Sequence, residues 1–199
     1  MQIKTIFLLS VLAIAVACQQ ISQQLSQQTS PSNKNNICEI FSEKRSWKRH
    51  ARKSERKWGV PVPVLMATMR YESAFKSDVK TPRKKILGFI PSWQRVSSAQ
   101  GYAQALDGTW KQYKKETGKF FVSRSSFADS IDFMGWYMHK SRKNLGISKH
   151  NAYAQYLAYH EGQGGYRRGT YHKKPWLKKY ARKVSSLAGV YSIQYNSCN

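Results

Sequence analysis

One apolar stretch in the first half of the chain carries most of the information about the fold: Val64-Leu65-Met66-Ala67-Thr68-Met69-Arg70-Tyr71-Glu72-Ser73-Ala74-Phe75. Pro61 and Pro63 come just before it and favour the start of a helix at that point. The stretch therefore predicts a helix that begins at these prolines and continues to about Phe75.

Glu72 is the unusual residue of this stretch, because the chain has only ten acidic residues against 34 Lys and Arg. Near the end of its helix it meets the negative end of the helix dipole, and its apolar neighbours desolvate a carboxylate. Both effects raise the pKa of the carboxyl, so Glu72 is predicted to keep its proton as a general acid must. The alternative is a partly exposed helix residue without a role.

The remaining sequence predicts further helices, each with a capping or stop signal. They are a helix from Ser42 to Trp58, a helix over 109–117 capped by Asp107, a long helix from Ser126 to Gly146, a helix from Asn151 to Gly162, and a helix from Pro175 to just before Gly189. The basic and aromatic segment 77–99 is expected to form turns or a short hairpin. The predicted fold is mostly α, with irregular loops and little or no β-structure.

The net charge of +24 predicts attraction to polyanions such as nucleic acid, anionic lipid or an acidic cell-wall polymer. The basic helix of residues 43–57 is either a solvated surface or a contact for wall or headgroup phosphates. Charge alone does not choose among these partners.

The N-terminus narrows the choice of partner. Lys4 precedes an apolar run over 6–17 that is too short to span a bilayer and ends at Cys18, as in a secretory signal. Export removes nucleic acid from the expected partners. The run Ala15-Val16-Ala17-Cys18 resembles a bacterial lipobox, which implies cleavage before Cys18 and lipidation of its thiol. An ordinary signal peptide with a chance cysteine is the alternative.

The chain is thus expected to have three parts. Residues 1–17 are a lipoprotein signal peptide, residues 18–37 a Gln-, Ser- and Asn-rich flexible tether, and residues 38–199 one domain. Cys38 and Cys198 bracket that domain and predict a disulfide in an exported protein, with two buried free thiols as the alternative. The scattered His and the lack of a CxxC motif predict no metal site, and no cofactor is expected.

Three segments stand out in order along the domain: Glu72-Ser73, then Gly101-Tyr102-Ala103-Gln104-Ala105, then Tyr159-His160-Glu161-Gly162-Gln163-Gly164-Gly165. Together they resemble the lytic transglycosylases, lysozyme-like domains that cleave peptidoglycan. That family has a helix ending in Glu-Ser, a Gly-Leu-Met-Gln-like turn and a helix ending in Tyr-Asn-Ala-Gly. The resemblance covers about residues 50–185.

The resemblance implies a role for each matching residue. Glu72 matches the catalytic acid/base, and Ser73 its polar neighbour near the reacting sugar. Gln104 matches the glutamine whose amide contacts the saccharide. Tyr159 matches the tyrosine whose hydroxyl helps to position the catalytic carboxyl.

Two pairs of positions in the expected substrate site depart from the family pattern. Tyr102 and Ala103 stand where the family usually has Leu and Met, and His160 and Glu161 replace Asn and Ala. The change to His160 is expected to alter hydrogen bonding near the substrate. The segment between Glu72 and Gly101 is also longer than in compact members, and could add a lip to the groove.

A second catalytic carboxylate is not evident, whereas most glycosidases use a pair. Asp78 and Asp107 fall in polar loops, and Glu161 is an alternative acid expected at a solvated helix end. One carboxyl suffices if the C6 hydroxyl of muramic acid attacks its own anomeric carbon, as the resemblance implies, giving a 1,6-anhydro product.

The expected protein is a monomeric lytic transglycosylase of the cell envelope, bound to peptidoglycan and to a membrane through its N-terminal lipid. Gln19 after Cys18 favours the periplasmic face of an outer membrane. The alternatives are a hydrolysing muramidase on the same fold and an inactive, basic wall-binding lipoprotein.

Overall fold

The computed structural model describes residues 30–86 and 90–198, and the described part is mostly α-helical, as predicted. Its elements are α1 Ile37–Glu43, α2 Arg45–Trp58, α3 Val62–Ser73, β1 Arg83–Ile86, β2 Ile90–Arg95, α4 Asp107–Thr117, α5 Phe127–Leu145, α6 Ala152–Arg167, a short 3-10 helix Thr170–Lys173 and α7 Pro175–Ser197. Of the helices in this part of the chain, none is long and apolar enough to cross a membrane.

Helix α3 is the central helix, and it is apolar on nearly every side because other helices surround it. It packs against α7 most extensively, and also against α2, α5 and α6. Nine of its residues are buried: Val62, Pro63, Val64, Leu65, Met66, Ala67, Thr68, Met69 and Ser73. A helix that is hydrophobic all round belongs inside a domain, so the stretch that predicted the fold is its core.

The end of α3 is sharply defined. Ala74 and Phe75 both have positive φ angles, 53° and 61°, and the Ala74 N–H caps the helix by donating to the Arg70 carbonyl. Phe75 is fully buried. The helix therefore stops one residue after Glu72, which fixes that side chain at the C-terminal end as predicted.

Helices α2 and α5 approach each other closely at Gly135. A Cβ atom at this position would lie 2.4 Å from the Ser54 Oγ and 2.6 Å from the Trp58 Cδ1. The Ser54 hydroxyl uses this proximity to donate to the Ile131 carbonyl at 2.8 Å. Glycine is therefore required here by the packing of two helices.

Four helix boundaries differ from the prediction. Helix α4 begins at Asp107, the predicted cap, and Leu106 is at the N-cap without a side-chain hydrogen bond. Ser42 lies inside α1, and α2 begins at Arg45 after a break at Lys44. Helix α6 bends at Gly162 but continues to Arg167. Helix α7 passes through Gly189 to Ser197, because Tyr191 and Tyr195 continue its buried face. That burial outweighs the cost of an interior glycine, about 1 kcal/mol.

The predicted tether is wrong over residues 30–37, which are attached to the domain. The Ser30 hydroxyl donates to the Ala74 carbonyl at 2.9 Å, and the Asn36 side chain caps α1. Ile37 is fully buried. The predicted signal peptide, Cys18 and the first part of the tether lie outside the described residues.

The disulfide Cys38–Cys198 is present and joins α1 to the residue that caps the end of α7, with 5.8 Å between the two Cα atoms. The Gln194 Oε1 accepts a hydrogen bond from the Ile37 N–H beside it. The predicted pairing is confirmed, and it closes the domain around its two ends.

Strands β1 and β2 form the short hairpin that was one of the two expectations for segment 77–99. They pair antiparallel, with Arg83 opposite Arg95 and Ile86 opposite Ile90. The Gly101 N–H then donates to the Val79 carbonyl, so the hairpin leads directly into the second motif.

Candidate active site

The carboxyl group of Glu72 is buried at the end of α3. The residue as a whole keeps some exposure, but its Oε1 is buried and has no hydrogen-bond partner among the described residues. Burial raises the pKa of Glu72 to about 8, while a hydrogen bond with the Tyr156 hydroxyl lowers it. The group is therefore protonated at neutral pH, with one oxygen unused by the protein.

The hydroxyl that contacts Glu72 is that of Tyr156, which the sequence reasoning missed. The expected partner, Tyr159, donates instead to the carbonyl of Ala103. Burial and the charge of Glu72 raise the pKa of the Tyr159 hydroxyl, so this ring is still close to the site. Tyr156 and Tyr159 are three residues apart on α6 and share a face, so helical spacing could have indicated both candidates.

Replacing Tyr156 by Phe is expected to move the alkaline limb of the pH–activity profile to higher pH. The hydroxyl lowers the pKa of Glu72, so its removal raises that pKa further. Tyr159→Phe is the matched control: it should leave this limb in place and reduce stability by about 1–3 kcal/mol, since the Ala103 carbonyl loses its partner. If Tyr159→Phe moved the alkaline limb and Tyr156→Phe did not, Tyr159 would be the hydrogen-bond partner of Glu72.

The second motif forms a tight turn that a glycine makes possible. Gly101 has a φ of +75°, and a Cβ atom there would lie 2.0 Å from the Arg124 carbonyl oxygen. The next N–H, that of Tyr102, donates to the same carbonyl. The loop is thus anchored to the residues just before α5, with no room for a side chain at Gly101.

Gly101→Ala is expected to destabilise the domain by at least about 2 kcal/mol, from the positive φ and the clash with backbone. Gly108→Ala is a suitable control, because a Cβ at Gly108 meets nothing within 4 Å and alanine favours the helix. Urea unfolding of both variants measures the difference. Equal stability would contradict the described turn.

Gln104 is held by the same turn, and its own φ is positive at 48°. Its Nε2 donates to the Gly101 carbonyl at 2.8 Å and to the Val79 carbonyl at 3.1 Å. These bonds use the amide donors and leave Oε1 as the amide atom able to accept a hydrogen bond from a sugar hydroxyl.

Gln104 and Tyr159 line one cavity of about 160 Å³. Its walls are Gln104, Ala105, Leu106, Thr109, Phe133, Tyr137, Tyr159, His160, Glu161 and Gly162. Apolar and aromatic walls with a few polar groups are typical of a site for an organic ligand. Two of the three motifs meet in this cavity, and Tyr159 connects it with Glu72.

Two predicted substrate-contacting residues have other positions. Tyr102 is only 5 % exposed and packs edge-on against Trp47 and Phe127. The Ser73 hydroxyl donates to the Met69 carbonyl in its own helix. Tyr102 is therefore a core residue, and Ser73 is buried beside Glu72 with its donor already used. His160 does line the cavity, and its side chain is 35 % exposed.

Glu161 was predicted to lie at a solvated helix end, and that prediction is wrong. Its side chain is buried and forms an ion pair. Burial raises its pKa, and hydrogen bonds from Lys174, Thr170 and His160 lower it further than burial raises it. The Lys174 Nζ lies 2.7 Å from one carboxylate oxygen. Glu161 is thus an ionised structural group that holds α6 to the segment just before α7, which disfavours it as a general acid.

Two further carboxylates, Asp107 and Asp132, are held by local partners. Asp107 forms an ion pair with Arg124 at 2.7 Å. Asp132 is a buried residue of α5 that accepts hydrogen bonds from Tyr113, Trp58 and Lys119. Glu72 differs from these groups in having a buried oxygen that no described residue contacts.

A mostly α-helical domain with a protonated carboxyl at the end of its central helix, beside a polar and aromatic cavity, defines the lysozyme-like class of glycan-cleaving domain. The family model of the transglycosylase SLT domain matches residues 6–198, so this chain belongs to that family. The family supports a peptidoglycan enzyme that cleaves glycosidic bonds. A search of curated proteins found no match.

Proposed function

We propose that this chain is a lytic transglycosylase that cleaves the MurNAc–GlcNAc β-1,4 bond of peptidoglycan and leaves 1,6-anhydroMurNAc ends, with Glu72 as its single acid/base. The observation that carries the proposal is the buried carboxyl of Glu72, which has an unpartnered oxygen and a pKa of about 8. A general acid works best when its pKa lies near the operating pH.

The reaction proceeds by two proton transfers at one carboxyl. Glu72 donates its proton to the glycosidic oxygen as the bond from that oxygen to the muramyl C1 breaks, and the GlcNAc end leaves as an alcohol. The muramyl C6 hydroxyl attacks C1, and its proton goes to the Glu72 carboxylate. Atoms balance without water, and the carboxyl is regenerated.

The surrounding groups fit these two steps. The Tyr156 hydroxyl stabilises the carboxylate that exists between them, because a hydrogen bond to the charged form favours that form. Gln104, fixed by two bonds from its Nε2, offers its Oε1 to a sugar hydroxyl. His160 adds an imidazole at the cavity wall where the family usually has Asn.

A hydrolysing muramidase on the same fold is the nearest rival, and mass spectrometry of digested cell wall separates the two. Transglycosylase products lack one water relative to hydrolysis products. A digest with free reducing ends would support the muramidase. An intact protein that binds wall without cutting it would support the inactive wall-binding alternative.

We also propose that the mature protein is lipid-anchored through Cys18 in the cell envelope, on the periplasmic face of an outer membrane. Between Cys18 and Ser30 the chain can reach at most about 40 Å, and Ser30 is bonded to Ala74 beside Glu72. The anchor would thus keep the catalytic end of α3 near the membrane. Mass spectrometry of the mature protein tests the anchor: an N-terminus at Cys18 that carries a lipid is expected, and an unmodified Cys18 would show that the anchor is wrong.

A further inference from the structure

Two large aromatic side chains on α7 are exposed without an evident role in folding. Trp176 is 52 % exposed and Tyr180 is 45 % exposed. They are four residues apart and so lie on one face of the helix. The buried face of α7 is formed by other residues: Leu177, Ala181, Val184, Ala188, Tyr191 and Tyr195. Trp176 and Tyr180 therefore form an apolar surface beside the core contact of this helix.

This aromatic surface reaches Glu72 from one side. The ring of Tyr180 lies 6.2 Å from that of Tyr71, the residue before Glu72, in an edge-on arrangement. Burial and the charge of Glu72 raise the pKa of Tyr156, the hydrogen-bond partner of Glu72. The hydroxyls of Tyr180 and Tyr71 are near enough to Tyr156 to raise its pKa further. The surface is thus continuous with the acid at the end of α3.

The same surface also reaches the cavity that contains Gln104. The Trp176 ring lies 5.2 Å from the His160 ring, at 78°, and 6.3 Å from the Tyr180 ring, at 80°. His160 is one of the residues that line the cavity. The cavity, the His160 imidazole and the two exposed rings therefore follow one another along one side of α6 and α7.

We propose that Trp176 and Tyr180 form a binding platform for the glycan strand, on which a sugar outside the Gln104 cavity packs its apolar C–H face. This inference rests on the proposed function and extends it, since it requires a substrate of several sugars. Exposed aromatic clusters next to a site mark a ligand contact, and rings give a large contact area at small entropic cost. Because the two rings adjoin the Glu72 site, we expect the ligand on this platform to be part of the glycan strand that is cleaved there.

Calorimetric titration of the full chain in a Glu72→Gln background tests the platform, because binding is then measured without cleavage. The ligands are a linear GlcNAc hexamer and peptide-free glycan strands. Trp176→Ala is expected to weaken binding about 3- to 10-fold, and Trp176→Phe much less. Ile193→Ala, also on α7 and 75 % exposed, is the control and should bind like the parent.

In the active enzyme, Trp176→Ala should raise KM for the strand and leave kcat nearly unchanged. Unchanged affinity of a folded Trp176→Ala, or a parent that binds neither ligand, would overturn the platform. If Trp176→Ala does not fold, Tyr180→Ala carries the test with the same expected loss. If the strands bind as expected but the protein with intact Glu72 yields no anhydro ends, the proposed function is refuted and the binding platform is not.

Discussion

Glu72→Gln is expected to lower the rate of glycan cleavage by about 10²- to 10⁴-fold, the contribution typical of a positioned general acid. The amide has nearly the same shape as the carboxyl but cannot donate a proton to the leaving oxygen. Release of soluble fragments from purified peptidoglycan measures the loss. Binding should be retained, so the variant separates chemistry from affinity.

The same substitution reports on the pKa of Glu72 through stability. The folded pKa of about 8 lies above the unfolded value of 4.5. Between these values the unfolded chain binds fewer protons than the folded one, so parent stability falls as pH rises, by up to about 1.4 kcal/mol per pH unit. This fall should be absent in Glu72→Gln, and activity of the parent should decline above about pH 8.

Urea unfolding of the parent and of Glu72→Gln from pH 5 to 8 measures the effect. Glu161→Gln is the contrasting variant, because the pKa of Glu161 is lowered and its carboxylate is paired with Lys174. Its loss should destabilise the protein at neutral pH. If the parent and Glu72→Gln had parallel stability profiles, Glu72 would titrate normally and the buried-acid account would be wrong.

Removal of the Cys38–Cys198 disulfide is expected to cause the largest loss in the free energy of unfolding. The chain-entropy model gives about 4–5 kcal/mol for a loop of this length. The bond closes 160 residues and holds α1 against the end of α7. Without it the unfolded chain gains much more freedom than the folded one, whose ends stay connected by Ile37 and Gln194.

Urea unfolding of the Cys38→Ser/Cys198→Ser double variant, compared with the oxidised and the reduced parent, measures this cost. The double variant and the reduced parent should unfold at similar, lower urea concentrations. Activity at low temperature should survive, because Glu72 lies on α3 and not on the bridged helices. Equal midpoints with and without reductant would show that the bond contributes nothing.

Local signals predicted much of the fold. The apolar stretch over 64–75 predicted the central helix, and prolines, capping residues and glycines set the boundaries of α3, α4 and α5 correctly to within a few residues. Ser126 caps α5 through its hydroxyl, as the sequence indicated. The direction of the pKa shift of Glu72 was also predicted from its apolar neighbours, and burial is the effect that raises this pKa in the structure.

Features that depend on tertiary packing were not predictable. Gly189 is a stop signal locally, yet buried tyrosines beyond it continue α7. Tyr156 and Tyr159 share one face of α6, and only the packed structure shows which hydroxyl reaches Glu72. Likewise, Glu161 looked solvated because its partner Lys174 follows 13 residues later. Trp176 gave no functional signal, because its contact with His160 on α6 exists only in the folded structure.

Mass spectrometry of a muropeptide digest, made with the parent protein and with Glu72→Gln side by side, tests the central claim most directly. Intact peptidoglycan is incubated with each protein and the soluble products are analysed without chemical reduction. The parent should release fragments ending in 1,6-anhydroMurNAc, and Glu72→Gln should release almost none. Free reducing ends from the parent, or equal release by the variant, would contradict a transglycosylase with Glu72 as its acid/base.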